Sequence, residues 1–287
     1  MLFFTLPSFY QNFNINRFFT DLTAIHPEYF KTPVTFSEVT GNYPYNYWNG
    51  GFNNCVGEPC SYNSVFACNQ DINMPIRLNC ANIFLEKQDF EDAINNTILT
   101  LCHDASNGVE LCDFDLLEFI KERYPNYRFI FSKEADLVEP LTVEIINALH
   151  DKNAFKLISL PTRFSKDLDM LKELKSRRDI ELTVNSLCNL KCPNHANCQH
   201  NQHAHQYNYS GVNPYLTCPK RNMYQDSHIL ISLEEIIEKY APIGITHFRL
   251  DEGIDGPQDK ILIFLIRYFI KSEYQAKAYE HYITGRM

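Results

Sequence analysis

Four cysteines and four histidines crowd into the stretch Ser186 to Arg221, SLCNLKCPNHANCQHNQHAHQYNYSGVNPYLTCPKR. The cysteines are Cys188, Cys192, Cys198 and Cys218, and the histidines are His195, His200, His203 and His205. From Leu182 to Gln225 there is no Asp or Glu, while Lys191, Lys220 and Arg221 are basic. Thiolates are the ligands of iron–sulfur clusters and zinc, and nearby cations favour thiolate over thiol. The pattern therefore points to a metal site on Cys188, Cys192, Cys198 and Cys218 rather than to a polar loop that happens to hold cysteine. Zinc is the alternative to iron and sulfide, because Cys/His mixtures suit its tetrahedral geometry and His195 or His200 can replace a thiolate. Cys55, Cys60 and Cys68 form a second group that could supply a ligand, whereas Cys80, Cys102 and Cys112 fall in strand or helix patterns and read as small core residues. The spacing is not C-x₃-C-x₂-C, so radical chemistry on S-adenosylmethionine does not fit. Neither H-E-x-x-H nor G-x-S-x-G occurs, so no pattern supports proteolysis.

The elements that must position this stretch alternate. Strand-like runs fall near 3–6, 34–39, 76–80, 108–112, 127–132, 154–160, 180–185 and 246–251. Amphipathic helical runs lie between most of them, near 14–30, 89–103, 114–124 (with Asp113 as N-cap), 142–152, 166–177 and 232–241, and a last one spans 259–282. Eight strands alternating with helices predict a parallel sheet closed into a (β/α)₈ TIM-like barrel, one domain over 1–287. An open doubly wound sheet is the rival, but no glycine-rich phosphate turn follows any strand.

Two connections are long: 40–74 after the second strand, with GNYPYNYWNGGFNN, and the metal loop 186–231 after the seventh. Both are βα connections, which puts them at the C-terminal face where barrel enzymes place their chemistry. The residues ending the other strands face the same mouth: Glu38, Asn79, Asn82, Asp113, Lys133, Arg163, Asp251 and Glu252. Asp251, Glu252 and Arg163 are the candidate catalytic groups, with Glu38, Trp48, Asn49, Asn79 and Asn82 as candidate substrate contacts. Trp48 either lies flat over a ring substrate or plugs the mouth as an apolar cap.

At net charge −9 the chain is not a generic nucleic-acid coat, though a local basic patch can still bind RNA. The start MLFFTLPSFY lacks a basic region and is not read as a signal peptide, and ILIFLIRYFI at 261–270 is too short to span a bilayer. A reducing, cytoplasmic compartment is the expectation, and there clustered cysteines read as metal ligands.

IELTVNSLC, the clustered cysteines, TCPKR and GITHFRLDEG together resemble the C-terminal half of the U32 collagenase-like peptidase family. Glu181, Leu182, Val184 and Cys188 match its "E-L-x-V" strand and following cysteine; Cys218 and Arg221 match its later Cys–Arg pair. Phe248 to Gly253 match its last strand, read near "F-K-I-E-G-R". GNYPYNYWNGG and MPIRLNCAN are similar to motifs of short single-barrel relatives of that family. The resemblance implies a TIM-like barrel with a four-cysteine [4Fe–4S] cluster, and several members act in oxygen-independent hydroxylation of RNA or a quinone precursor. The sequence departs from the family in its spacing, Cys188-x₃-Cys192-x₅-Cys198-x₁₉-Cys218. It has no arginine after Gly253 and has Phe52 after WNGG, and the family's acid falls on Asp251 or Glu252. The expected function is a redox modification of a small molecule or RNA. The alternative is a non-catalytic, metal-stabilised binding or accessory subunit in a heteromeric complex, with iron–sulfur or zinc serving only to fold the loop.

Overall fold

The computed structural model describes residues 1–8, 10–41, 46–50, 67, 70–186, 194–208, 228–229, 231–251 and 258–285. Eight short strands carry the fold: β1 (Leu2–Leu6), β2 (Val34–Gly41), β3 (Ile76–Asn79), β4 (Gly108–Leu111), β5 (Arg128–Phe131), β6 (Leu157–Ser159), β7 (Ile180–Thr183) and, last in the chain, β10 (His247–Arg249). They close in the order β1-β10-β7-β6-β5-β4-β3-β2, every pair parallel. This is the (β/α)₈ barrel, with no open edge for a doubly wound sheet. Two further strands, β8 (Asn185–Ser186) and β9 (His228–Ile229), form a separate antiparallel ribbon.

Helices α1 (Phe13–Ile25), α2 (Ala93–Leu101), α3 (Phe114–Arg123), α4 (Val143–Asp151) and α5 (Leu168–Glu173) cross between barrel strands. The starts of α2 to α5 are fixed by side-chain caps, since the first N–H groups of a helix have no partner within it. Asp113 accepts from the Leu116 amide at 2.7 Å, Asp92 from Asn95 at 2.8 Å and Asp167 from Met170 at 3.0 Å. Helix α6 (His195–Asn208) lies within the cysteine-rich connection after β7; α7 (Leu233–Glu235) continues as a π-turn over Ile236–Tyr240. The run expected as one terminal helix is two, α8 (Gln258–Phe269) and α9 (Gln275–Thr284). The break has a local cause: Ile270 bridges Phe30 and the Lys271 amide donates to Tyr29 O at 2.9 Å, so the chain pairs there instead of continuing.

Side chains alternate across each strand. Phe4, Leu6, Leu78, Val109, Ile158, Leu182 and Phe248 are fully or almost fully buried between the sheet and the helices. Phe4 meets Phe269 edge-on at 4.9 Å and Phe248 at 5.6 Å. The opposite parity points into the barrel and is largely polar, with Ile130 and Leu157 as apolar members on β5 and β6.

Candidate active site at the barrel mouth

Partners directly opposite in a parallel sheet share a face. The register pairs Thr5 with Glu38 and Arg249, Arg249 with Thr183, Glu181 with Ser159, and Asn79 with Glu110. These are the interior residues. Arg77, fully buried, donates to Glu181 at 2.6 and 2.9 Å and to Glu38, with Glu110 at 3.5 Å. Thr5 Oγ1 donates to Glu181 at 2.7 Å, and Arg128 reaches Glu38 from the N-terminal end at 2.9 Å. Nearer the mouth, Arg249 holds both oxygens of Glu110 at 2.7 Å and Ser132 donates to Glu110 at 2.9 Å. Burial pushes the Glu181 and Glu38 carboxyls up, and the cations overcome it. Arg77 holds Glu181 down at about 2, and Arg77 with Arg128 hold Glu38 below its ordinary range. Burial likewise opposes charge on Arg77 and Arg249, yet the surrounding carboxylates raise both. Such a network holds only when complete, because one missing partner strands a buried charge.

The mouth has two unlike sectors. Where β3 and β5 end, the asparagine, histidine and carboxylate groups are matched in detail, while the buried Trp48 Nε1 has no partner. Asn79 Oδ1 accepts from the Gly50 amide at 2.8 Å and its Nδ2 donates to Gly50 O at 3.2 Å, which pins the Trp48 turn to the barrel. A Cβ on Gly50 would lie 2.4 Å from Ala81 O, so the WNGG turn needs glycine there for close approach. Trp48 is fully buried within the apolar core cluster. Asn82 donates to Tyr47 O at 2.8 Å and to His203 O at 3.1 Å, joining this turn to α6. His203 is also fully buried: its Nδ1 accepts from the Ile83 amide at 3.2 Å, which leaves the proton on Nε2, 3.1 Å from Glu134 Oε2. Burial would raise Glu134, but the His203 hydrogen bond and the cations Lys133 and Arg249 hold it at about 2. Tyr207 completes the docking of α6, donating to Asp89 at 2.9 Å.

Across the barrel, β7 and β10 end in a different setting. Asn185 and Asp251 exchange hydrogen bonds of 2.8 and 3.0 Å between side chain and backbone. The Asp251 carboxylate meets Lys133 at 2.6 Å; both side chains are partly exposed, at 17% and 11%. Arg249 Nε lies 3.3 Å from Asp251 Oδ1, near enough for attraction but not aligned for a hydrogen bond. Ser159 Oγ and Thr183 Oγ1 are fully buried and have no partner. A buried hydroxyl left unsatisfied costs about 1–3 kcal/mol.

The structure thus brings Asn79, Asn82, Trp48 and Asn49 together on one side of the mouth and places Asp251 with Lys133 on the rim. Two expectations need correction. Glu38 does not end its strand, since β2 runs on to Gly41; its carboxylate lies in the interior network with Arg77 and Arg128. Arg163 meets Asp136 at 2.6 and 2.9 Å and Leu141 O at 2.7 Å on the surface, so the cation beside Asp251 is Lys133. Glu252, Cys55, Cys60, Cys68, Cys188, Cys192 and Cys218 lie outside the described residues. Arg77, Glu110, Glu181, Arg249, Glu134 and His203 were not among the candidate site residues. The first four carried a signal in IRLN, GVEL, IELT and HFR: a charge set inside an otherwise apolar strand.

Donor chemistry separates the described cysteines as metal ligands. Burial raises the Cys80, Cys102 and Cys112 thiols, Cys102 to about 12, and Glu110 adds to it at Cys80 and Cys112. Such thiols do not fit a thiolate site. Cys198, half-buried on the polar helix α6, does fit one. The ribbon β8–β9 joins the two ends of the segment that holds Cys188, Cys192, Cys198 and Cys218, directly after β7. Among the described residues no three His, Cys, Asp or Glu side chains converge as a metal group, and no helix is long and apolar enough to cross a membrane.

No family model matches the sequence, and no curated protein matches it. The solved structure of the U32 peptidase Mk0906 is similar over 90% of this chain and 95% of its own, with a TM-score of 0.55 at 12% identity. At that identity the likeness is one of fold, and the fold is a U32-like barrel.

Proposed function

We propose that the protein is an iron–sulfur enzyme of the oxygen-independent hydroxylation type, acting on a small molecule or RNA at the barrel mouth. Cys188, Cys192, Cys198 and Cys218 would hold a [4Fe–4S] cluster, which supplies electron transfer when bound. The observation that supports the reading is the meeting of two features at one end of the barrel. Helix α6, which carries Cys198, docks at the mouth through Asn82, the ribbon β8–β9 follows β7, and Asp251 and Lys133 are the partly exposed charges there. Asp251, held by Asn185, would orient substrate, with Lys133 as its counter-charge and Arg249 beneath. A thiolate site of this kind belongs in a reducing compartment such as the cytoplasm. The test is Asp251→Asn, which keeps size and removes charge. Metal content should be unchanged while substrate or product binding falls at least about tenfold, as loss of a charge-assisted contact implies. Unchanged binding would move the chemistry elsewhere.

A specific observation favours a second reading, a metal-stabilised binding or accessory module with iron–sulfur or zinc in the loop and a protein partner. The mouth's charges already satisfy one another: Lys133 with Asp251, Arg249 with Glu110, Glu134 with His203. On that reading Asp251→Asn leaves ligand binding intact and loosens the α6 region.

A further inference from the structure

Helix α6 is held to the barrel largely by polar groups: its buried side chains are Gln202, His203 and Gln206. An element that buries so little apolar surface undocks at low cost compared with the strands beneath it. Its buried contact from His203 to Glu134 lands on a 3₁₀ turn, Lys133–Leu137, capped by Ser132. Consecutive residues of that turn serve different elements. Glu134 holds α6, and Lys133 holds Asp251 at 2.6 Å.

The balance of charge makes these two contacts interdependent. Among the described residues, the interior and mouth hold five linked carboxylates, Glu38, Glu110, Glu134, Glu181 and Asp251, but four arginines and lysines, Arg77, Arg128, Arg249 and Lys133. His203 does not supply a fifth cation, because its Nδ1 accepts from the Ile83 amide and the ring is neutral. Glu134 is therefore the carboxylate served by a neutral donor, and that donor belongs to α6.

We propose that α6 is a conformational switch acting on Asp251. With α6 docked, His203 satisfies Glu134 and Lys133 stays on Asp251. With α6 lifted, Glu134 loses its donor, and a buried carboxylate left unpaired is costly. The cations whose charge already acts on Glu134 are Lys133 and Arg249. Arg249 is held by both oxygens of Glu110 at 2.7 Å, whereas the Lys133 ammonium sits on a flexible four-carbon stem, so Lys133 is the one that turns to Glu134. Asp251 is then left at the rim without its lysine, open to water or to the ammonium or guanidinium of a ligand. Linkage runs both ways: a cation that neutralises Asp251 from outside frees Lys133 for Glu134 and favours release of α6. That this regulates substrate rests on the reading of Asp251 as the group that orients it; the exchange of partners does not.

Double-mutant cycles on the full chain, read by urea unfolding, test the exchange without metal or substrate. Lys133→Met and Asp251→Asn should be coupled about fivefold or more in the folding equilibrium of the wild-type background and less than about twofold in His203→Ala. In His203→Ala the coupling should pass to Lys133→Met with Glu134→Gln, and His203→Gln, which keeps a side-chain N–H, should restore the wild-type pattern. Unchanged Lys133–Asp251 coupling in His203→Ala would overturn the switch. Should His203→Ala fail to fold, hydrogen exchange reads the same link from the other end. The α6 amides should exchange about fivefold faster in Asp251→Asn and return to the wild-type rate in Asp251→Asn/Lys133→Met. Equal rates in wild type and Asp251→Asn would overturn the switch as well. Failure of Asp251→Asn to weaken substrate binding counts against the mouth reading, and failure of these cycles counts against the switch alone.

Discussion

The two sectors of the barrel mouth are built from similar residue types and treat them differently. Beside β3 and β5, Asn79, Asn82, His203 and Glu134 spend their hydrogen-bonding capacity on backbone and on each other, and Trp48 is fully buried in the apolar core. Beside β6, β7 and β10, two interior hydroxyls are left over and the Asp251–Lys133 pair is partly open to solvent. Satisfied networks fix a structure, whereas leftover capacity next to an accessible charge is what a ligand can use. The difference makes the first sector the scaffold on which α6 docks, while the second keeps its charged pair partly open to solvent.

The largest effect should come from breaking the network that both sectors share. Arg77→Met leaves Glu38 and Glu181 buried without their main counter-charge, so urea unfolding should show a loss of about 3–5 kcal/mol. A loss below about 1 kcal/mol would mean that water or rearrangement compensates for the arginine. Removing Arg163, 47% exposed and paired with Asp136 on the surface, should cost under about 1 kcal/mol by comparison.

Acid probes the same carboxylates without mutation. Glu134 and Glu181 are held at about 2 in the folded protein, below the ordinary 4.5. A depressed folded value means the stabilisation is complete above the unfolded value and is lost as pH falls through the folded one. The urea midpoint should therefore change little on their account down to about pH 5 and drop between about 4.5 and 2. His203→Ala should start that drop at higher pH, because Glu134 loses its donor. An identical profile in the variant would detach α6 from the stability of the scaffold sector.

Gly50→Ala is a smaller, local test. The new methyl would press on Ala81 O, so the turn must shift, at a cost of about 1–3 kcal/mol. Trp48 is the chain's one tryptophan, so its emission reports the shift directly and should move to the red. Emission unchanged from wild type would mean that the turn tolerates the methyl and is not the pin described.

Much of the scaffold was legible in the sequence. Alternating strand and helix runs gave eight strands near their observed positions, and Asp113 was readable as an N-cap because capping chemistry is local. The interior was not read, although Arg77, Glu110, Glu181 and Arg249 stand in plain view inside apolar strands. Barrel chemistry usually lies at strand ends, and period-2 patterning does not say that a charge will find its partner four strands away. Helix α6 escaped for another reason: its buried residues are Gln202, His203 and Gln206, so it has no apolar stripe to find. Glu38 was placed at the rim because the strand pattern VTFSEV ends there, while pairing carries β2 to Gly41.

The central claim, that Cys188, Cys192, Cys198 and Cys218 hold an iron–sulfur cluster, is tested most directly by iron and sulfide analysis of protein purified without oxygen. Wild-type protein should be brown, with iron and sulfide in near-equal, near-stoichiometric amounts, and Cys198→Ser should lose both while Cys102→Ser keeps them. Colourless protein carrying zinc, or equal metal loss from both variants, would contradict it.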